Sequence, residues 1–225
     1  MKLAVGIFAK TIGLSGVKTR LAADIGKDDA EAFYAMSVDA VADVLNKAEL
    51  NTDGAIVPFW TLAEEAAPHL SQWSGFNAIW TGEGGLGQRL ANVSETLFAD
   101  HDAVALIGTD SPHLMPSLFE SVLLQLRNNR EMHIAGPADD GGFYLFASAQ
   151  PVGRDIWESV TYSADTTLKE LASLIKKKGK RVDYLGSESD VDVIADLAKL
   201  ERSLCKNEDD LLPAQTRLLD WLKHR

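Results

Sequence analysis

Short apolar runs alternate with stretches whose apolar residues recur at helical spacing along most of the chain. The runs at residues 3–9 and 104–107 predict buried strands, and the stretches at residues 28–47 and 86–99 predict amphipathic helices. Repeated alternation of this kind is typical of parallel β-α-β units. We therefore predict an α/β fold with a mostly parallel sheet.

The remaining segments continue the same alternation. Further strands are predicted at residues 55–60, 77–81, 132–135, 143–146 and 181–184, and further helices at residues 62–70, 116–126, 165–178, 193–200 and 209–223. The chain has no internal repeat, low-complexity tract or evident linker, and its length suffices for one large core. We expect residues 1–225 to form a single domain.

Composition narrows the choice of partners and compartment. A formal net charge of −11 argues against binding to nucleic acid or to an anionic membrane surface, because both need clustered Lys and Arg. Cys205 is the only cysteine, so no disulfide framework or paired-cysteine zinc site is predicted. The first apolar run lacks the features of a signal peptide, and no run approaches the length of a membrane span. We expect a cytoplasmic protein, for which a homodimer is one compatible assembly.

Positive charge is concentrated in residues 10–21, directly after the first strand. Lys10, Lys18 and Arg20 lie there among glycine and serine residues, at the carboxyl end of a parallel strand, where ligands bind in such sheets. Backbone N–H groups and these cations suit a diphosphate or triphosphate. The segment is not a Walker A loop, because Val17 separates Gly16 from Lys18. A solvated loop is the alternative interpretation.

Acidic residues follow two other predicted strands. Asp110 comes directly after the run at residues 104–107, and Asp190 and Asp192 lie on alternate residues, so that in an extended segment they project to the same side. Three carboxylates of this kind suit Mg²⁺ or Mn²⁺. The alternative for the second pair is a helix cap.

Paired acids meet paired glycines in the segment from Asp139 to Tyr144. Glycine permits the close approach of a ligand to the backbone, so Asp140, Gly141 and Gly142 are candidates for a binding surface. A hairpin or tight turn explains the same residues equally well.

The chain contains the motifs FAK, VKTRLA, LGQRL, GTDSP, DDGGFYL, SADTT and DVD, in this order. Together they resemble a family of bacterial transferase-like proteins, and the resemblance extends from Leu3 to about Leu197. Its members have the GT-A nucleotide-diphospho-sugar transferase fold and are described as uncharacterised glycosyltransferases or radical-SAM/selenodomain-associated transferases. The family is similar to guanylyltransferases that make molybdopterin and deazaflavin cofactors. The resemblance implies a three-layer α/β/α fold with a mostly parallel mixed sheet.

The resemblance also implies roles for individual residues. It implies catalytic roles for Lys18, Arg20 and Asp110; nucleotide contacts at Ala9, Lys10, Lys18, Arg20, Gly82, Gly87 and Arg89; acceptor contacts at Asp140, Gly141 and Gly142; and a metal site at Asp110, Asp190 and Asp192. For Arg89, a helix-surface cation is the alternative, and Ser163, Asp165 and Thr166 are better explained as a helix N-cap. The first loop differs from the family pattern, with Ile12, Leu14 and Ser15 in place of Pro, Pro and Gly.

Three functions are compatible with these observations. The first is Mg²⁺-dependent nucleotidyl transfer from a nucleoside triphosphate to a small phosphorylated or carboxylated acceptor, with loss of pyrophosphate. The second is glycosyl transfer from a nucleotide-diphospho-sugar. The third is a nucleotide-binding module without catalytic activity, allowed by the altered first loop.

Overall fold

The computed structural model describes residues 1–225 and contains one seven-stranded sheet. Its strands are β1 (Leu3–Ala9), β2 (Ile56–Leu62), β3 (Asn77–Trp80), β4 (Ala103–Ile107), β5 (Met132–Pro137), β6 (Phe143–Ser148) and β7 (Arg181–Tyr184). They are ordered β3-β2-β1-β4-β6-β5-β7, and only β6 runs antiparallel to its neighbours. The predicted mostly parallel mixed sheet is therefore confirmed.

Helices cover both faces of this sheet. They are α1 (Thr19–Ile25), α2 (Lys27–Asn51), α3 (Leu86–Phe98), α4 (Pro116–Asn128), α5 (Arg154–Ser159), α6 (Thr167–Lys177), α7 (Ile194–Lys206) and α8 (Pro213–Lys223). The cores of α2 and α4 pack on one face, and those of α3, α5 and α6 pack on the other. A third cluster joins α1, α2, α7 and α8 outside the first face. No helix is long and apolar enough to cross a membrane.

The central strand β1 shows how the sequence produces the layers. Leu3, Val5 and Ile7 alternate into the core below α2, while Ala4 faces α3. A Cβ at Gly6 would lie 3.2 Å from side-chain atoms of Val93 and Leu97 on α3. The small residues on that side of β1 therefore allow α3 to pack closely on the sheet.

One predicted helix is absent from the structure, and two short helices were not predicted. The predicted helix at residues 62–70 is absent, because β2 continues to Leu62 and is followed by single 3₁₀ turns at Ala67–His69 and Ser71–Trp73. The short helices α1 and α5, with seven and six residues, were not predicted. Segments this short carry too few apolar positions to display a helical period.

Parallel pairing brings all the predicted site segments to one edge. Strands β1, β4, β5 and β7 end at that edge, and the turn between β5 and β6 lies there too. The first loop, the segment after β4 and the segment after β7 therefore meet at the carboxyl edge of the sheet.

Candidate active site

A cavity of about 770 Å³ opens at the carboxyl edge of the sheet. Of the residues predicted to form the site, the cavity is lined by Ala9, Lys10, Lys18, Arg20, Arg89, Asp110, Asp140, Gly142, Asp190 and Asp192. Four cations and four carboxylates among them balance formally, in a protein whose overall charge is strongly negative. The cavity has the size of a pocket for a small-molecule ligand such as a nucleotide.

The first loop delivers Lys18 to the centre of the acidic residues. Lys18 precedes α1 in the left-handed backbone region, with φ 44°, and only 5% of its side chain is exposed. Its ammonium donates hydrogen bonds to the carboxylate of Asp110 and to the carbonyl of Val191. Oδ1 of Asp192 lies 4.0 Å from the same nitrogen. A non-glycine residue held in this backbone conformation is a frequent feature of functional sites.

The segment after β7 places its two acids as the alternate spacing predicts. Asp190 and Asp192 both line the cavity, while Val191 between them is 1% exposed and packs in the third core cluster. Nη1 of Arg20 donates to Asp192 at 3.0 Å. The carboxylate of Asp196, in the first turn of α7, accepts hydrogen bonds from the backbone N–H groups of Asp192 and of Val193, each at 3.1 Å. Asp196 therefore supplies the capping bonds, and the acids at 190 and 192 stay directed to the cavity.

The pKa of Asp190 reflects the negative charge concentrated in the cavity. Burial, together with the charges of Asp140, Asp192 and Asp110, raises the pKa of Asp190 to about 6. These carboxylates repel one another, so a cation that they share is favoured.

The acids suit a divalent cation by their chemistry. Carboxylate oxygens are the ligands preferred by Mg²⁺ and Mn²⁺, and Asp110 and Asp192 already share one cation, the ammonium of Lys18. No group of three or more His, Cys, Asp or Glu side chains is assembled at metal-binding spacing. The acids therefore have the chemistry that a divalent cation prefers, but they do not form a metal site in this arrangement.

Tyr34 is a cavity residue that the sequence pattern did not reveal. It lies on α2, is 5% exposed, and its hydroxyl accepts a hydrogen bond from Lys10 N at 2.7 Å and donates one to Lys10 O at 3.0 Å. Burial raises the pKa of Tyr34 to about 12, so the hydroxyl stays protonated. In the sequence, Tyr34 is only one more apolar position next to Phe33 on an amphipathic helix.

Arg89 is more than a helix-surface cation. Its Nη1 donates to Ala63 O and to Thr81 Oγ1, both at 2.9 Å, and its Nε donates to Gly84 O at 3.0 Å. These bonds tie α3 to the carboxyl ends of β2 and β3. Arg89 lines the cavity with a guanidinium that is already largely hydrogen-bonded to the protein.

Three predicted glycines do not line the cavity. Gly82 turns the chain after β3 at φ 82°, and a Cβ on Gly87 would lie 2.4 Å from Trp157 O, where α3 packs on α5. Gly141 has φ 87°, and a Cβ there would lie 2.2 Å from Asp165 O. Each serves a turn or a close packing contact beside the cavity.

The segment from Asp139 to Tyr144 is both a hairpin turn and part of the cavity. Ala138 N donates to Gly142 O at 3.1 Å, which closes the turn between β5 and β6. Asp140 accepts a hydrogen bond from Gly142 N at 2.8 Å and faces the cavity.

The helix N-cap predicted before α6 is only partly observed. The helix begins at Thr167 with Thr166 at the N-cap position, but no side chain makes a capping hydrogen bond there. Instead, the hydroxyl of Thr166 donates to Glu170 at 2.8 Å. Ser163, expected to belong to the cap, has φ 59° and lines the cavity instead. Tyr144 and Tyr162 line the cavity as well, and neither was predicted as a site residue.

The fold places this chain in an α/β class that also contains solved structures described as a "putative nucleotide-diphospho-sugar transferase" and as a nucleotidyl transferase. Within that class, the chain belongs to the family described as "Uncharacterized protein conserved in bacteria (DUF2064)", whose model matches residues 48–164. A comparison with curated proteins gives no match.

Solved structures confirm the fold. A "putative nucleotide-diphospho-sugar transferase" from Desulfovibrio desulfuricans G20 superposes with a TM-score of 0.83 at 22% identity, covering 99% of this chain and 97% of that one. 4-diphosphocytidyl-2C-methyl-D-erythritol synthase from Anaerococcus prevotii superposes with a TM-score of 0.57 at 11% identity, covering 91% of this chain and 96% of that one. CMP:2-keto-3-deoxy-manno-octonic acid synthetase complexed with CTP superposes with a TM-score of 0.52 at 17% identity, covering 92% of this chain and 100% of that one. At these identities the similarity establishes the fold alone.

Proposed function

We propose that this protein is a Mg²⁺- or Mn²⁺-dependent transferase that binds a nucleotide-phosphate donor in the cavity and transfers a nucleotidyl group. The observation that carries the proposal is the meeting of Lys10, Lys18 and Arg20 with Asp110 and Asp192 at one edge of the sheet. Cations and acids side by side in a small cavity suit a triphosphate and its metal ion. The resemblance to guanylyltransferases for cofactor synthesis points the same way.

In this proposal, the basic and the acidic residues of the cavity have different roles. Lys18 and Arg20 bind the donor phosphates and offset the charge that develops on pyrophosphate as it leaves. Asp110, with Asp190 and Asp192, would hold the metal ion, which would polarise the phosphate oxygens. An acceptor oxygen forms the bond to the α-phosphorus while the bond to the bridging oxygen of pyrophosphate breaks. Tyr34 holds the Lys10 backbone in the position that completes the phosphate side.

Glycosyl transfer is a second candidate with its own support. The D. desulfuricans protein, which aligns over 99% of this chain, is described as a "putative nucleotide-diphospho-sugar transferase". The same phosphate-binding residues would then retain a nucleoside diphosphate as leaving group, and an acceptor hydroxyl would attack the sugar carbon. The two candidates differ in the donor that binds.

A thermal-shift panel of nucleoside triphosphates and nucleotide-diphospho-sugars, with and without Mg²⁺, tests the proposal. A ligand at ten times its Kd adds about 1.4 kcal/mol of stability, which in a protein of this size raises the Tm by about 3 to 6 °C. We expect a triphosphate to give Mg²⁺-dependent stabilisation that is lost in Asp110→Ala and in Lys18→Ala.

Matched controls come from exposed residues distant from the cavity. Asp100→Ala and Lys47→Ala remove one charge each of the same types and should leave the shift unchanged. Stabilisation by nucleotide-diphospho-sugars alone would favour glycosyl transfer, and binding without turnover over a broad set of acceptors would favour the non-catalytic module. No shift with any nucleotide would refute the proposal.

A further inference from the structure

The two walls of the cavity differ in charge. All the Lys and Arg residues that line the cavity belong to the first loop, to α1 or to α3. A second part of the lining consists of the β5–β6 turn and the segment leading into α6. We call it the acceptor wall; its lining residues are Ala138, Asp140, Gly142, Phe143, Tyr144, Tyr162, Ser163, Ala164 and Thr167. It contains no Lys, Arg or His, and its one charged side chain is the carboxylate of Asp140.

Two backbone N–H groups at the start of α6 are already bonded within the protein. The acceptor wall includes the start of α6, and a helix N-terminus can bind an anion through free N–H groups. Here, Thr167 N already donates to Ala164 O at 3.1 Å, and Leu168 N donates to Gly141 O at 3.0 Å. Two of the N–H groups that an anion would need are therefore occupied by the protein itself.

The acceptor wall is held as one surface. The Leu168–Gly141 bond joins α6 to the β5–β6 turn, and Gly141 fits against Asp165 so closely that a Cβ would lie 2.2 Å from Asp165 O. The hydroxyl of Thr167 hydrogen-bonds Thr161 O and Ala164 O, each at 2.8 Å. A ligand on this wall therefore meets a surface formed before it binds.

The groups left free on this surface are hydrogen-bonding and aromatic. Only one oxygen of Asp140 has a partner in the protein, Gly142 N, and the hydroxyl of Ser163 has none. The hydroxyls of Tyr144 and Tyr162 donate to Gly186 O and Trp157 O, so these residues offer ring surface to the cavity. A carboxylate oxygen and a hydroxyl beside aromatic rings suit a compound that offers hydroxyl groups and apolar C–H faces.

We infer that the acceptor is an uncharged, hydroxyl-bearing compound of the sugar or polyol class, with a hydroxyl group donating to Asp140. This deepens the proposed function and rests on it, and it fits both nucleotidyl and glycosyl transfer to a hydroxyl oxygen. It replaces the phosphorylated or carboxylated acceptor expected from the sequence, because a phosphate on this wall would face Asp140 with no cation to offset the repulsion.

Matched pairs of compounds test the inference by saturation-transfer NMR on the intact protein. The probes are glucose with glucose 6-phosphate and glucuronate, and glycerol with glycerol 3-phosphate. Each is measured with pyrophosphate and Mg²⁺ present, so that the Lys18 side is occupied. We expect saturation transfer to the uncharged members, and a roughly two- to tenfold weaker affinity in Asp140→Asn and in Ser163→Gly, as for the loss of one hydrogen bond.

The two variants are chosen to keep the wall intact. Asn at position 140 can still accept the bond from Gly142 N, and glycine is the residue best suited to the positive φ at position 163. Stronger transfer to a charged member, or none to any uncharged one, would overturn the inference. The nucleotide panel is independent of these probes, so failure of the proposed function would be seen separately as a loss of donor binding.

Discussion

The ammonium of Lys18 is bonded to the carboxylate of Asp110 in the structure, with the Lys18 side chain almost fully buried and Asp192 at 4.0 Å. Both acids are also proposed metal ligands. The ammonium therefore lies beside the same oxygens that a divalent cation would share, and in the proposed function metal binding would require Lys18 to turn toward the donor phosphates. In the proposed function, Lys18 and the metal ion would compete for the same oxygens until a nucleotide binds.

Lys18→Met should consequently have opposite effects on two ligands. The affinity for Mg²⁺ without nucleotide should rise about two- to tenfold, because the internal cation is removed from partly exposed acids. The affinity for a nucleoside triphosphate should fall, because one phosphate contact is lost. Isothermal titration of each ligand measures both effects. Lys10→Met is the control, since Lys10 lines the cavity but has no acidic partner, and an equal rise in that variant would contradict the competition.

Tyr34→Phe tests the support of the phosphate side. Removing the hydroxyl leaves the N–H and C=O of Lys10 without their partner, so the free energy of unfolding should fall by about 1 to 3 kcal/mol. Triphosphate affinity should fall as well. Chemical denaturation and nucleotide titration measure the two effects. Tyr184→Phe, at a side chain that is 57% exposed, should change neither. Unchanged stability in Tyr34→Phe would show that the two hydrogen bonds do not hold the loop.

The sequence predicts the sheet and the cavity edge well for a physical reason. Strand β4 is a fully apolar run, and charged loops such as residues 10–21 and 108–112 follow buried strands. Parallel pairing then brings those loops together whatever their separation in sequence. The alternate spacing of Asp190 and Asp192 likewise predicts their shared direction, and the structure places both along the cavity.

What the sequence does not reveal depends on contacts between distant elements. Tyr34 and Lys10 meet only because α2 folds back over the first loop, and nothing local marks that tyrosine. Gly87 matches a family motif, but its role in the structure is the close packing of α3 against Trp157. The pairing of Lys18 with Asp110 across 92 residues is a third example, since sequence placed both in the site without indicating that each neutralises the other.

Ser163 offers a test of backbone strain beside the cavity. Its φ of 59° is unfavourable for any residue with a Cβ, and its hydroxyl makes no hydrogen bond within the protein. Ser163→Gly should therefore raise the free energy of unfolding by about 0.5 to 1 kcal/mol. Ser163→Ala is the matched control, because it removes the hydroxyl and keeps the strain, so it should give no gain. Equal stability of the two variants in urea denaturation would show that the backbone conformation carries no cost.

His133 links stability to pH. It lies on β5, is 1% exposed, stacks on Phe146 with ring centroids 5.9 Å apart, and its Nδ1 has no hydrogen-bond partner. Burial, with a smaller effect of Lys180, lowers the pKa of His133 to about 4 from 6.5. Between pH 4 and pH 6.5, His133 binds a proton in the unfolded chain but not in the folded protein. The free energy of unfolding that depends on His133 is therefore fully present above about pH 6.5, and it falls by at most about 3 kcal/mol as the pH drops toward 4.

Replacing the titrating ring isolates this contribution. His133→Phe keeps an aromatic ring against Phe146 and cannot be protonated, so its free energy of unfolding should fall less than that of the wild type between pH 6.5 and 4. Denaturation in urea at several pH values measures the difference, and acids that titrate in both proteins cancel from it. His69→Gln, at an exposed position, should follow the wild-type curve. Parallel curves of unfolding free energy against pH for His133→Phe and wild type would contradict this prediction. They would mean that His133 takes up its proton without global unfolding. The strand and its neighbours would then open locally to water, at a smaller free-energy cost than the burial of His133 implies.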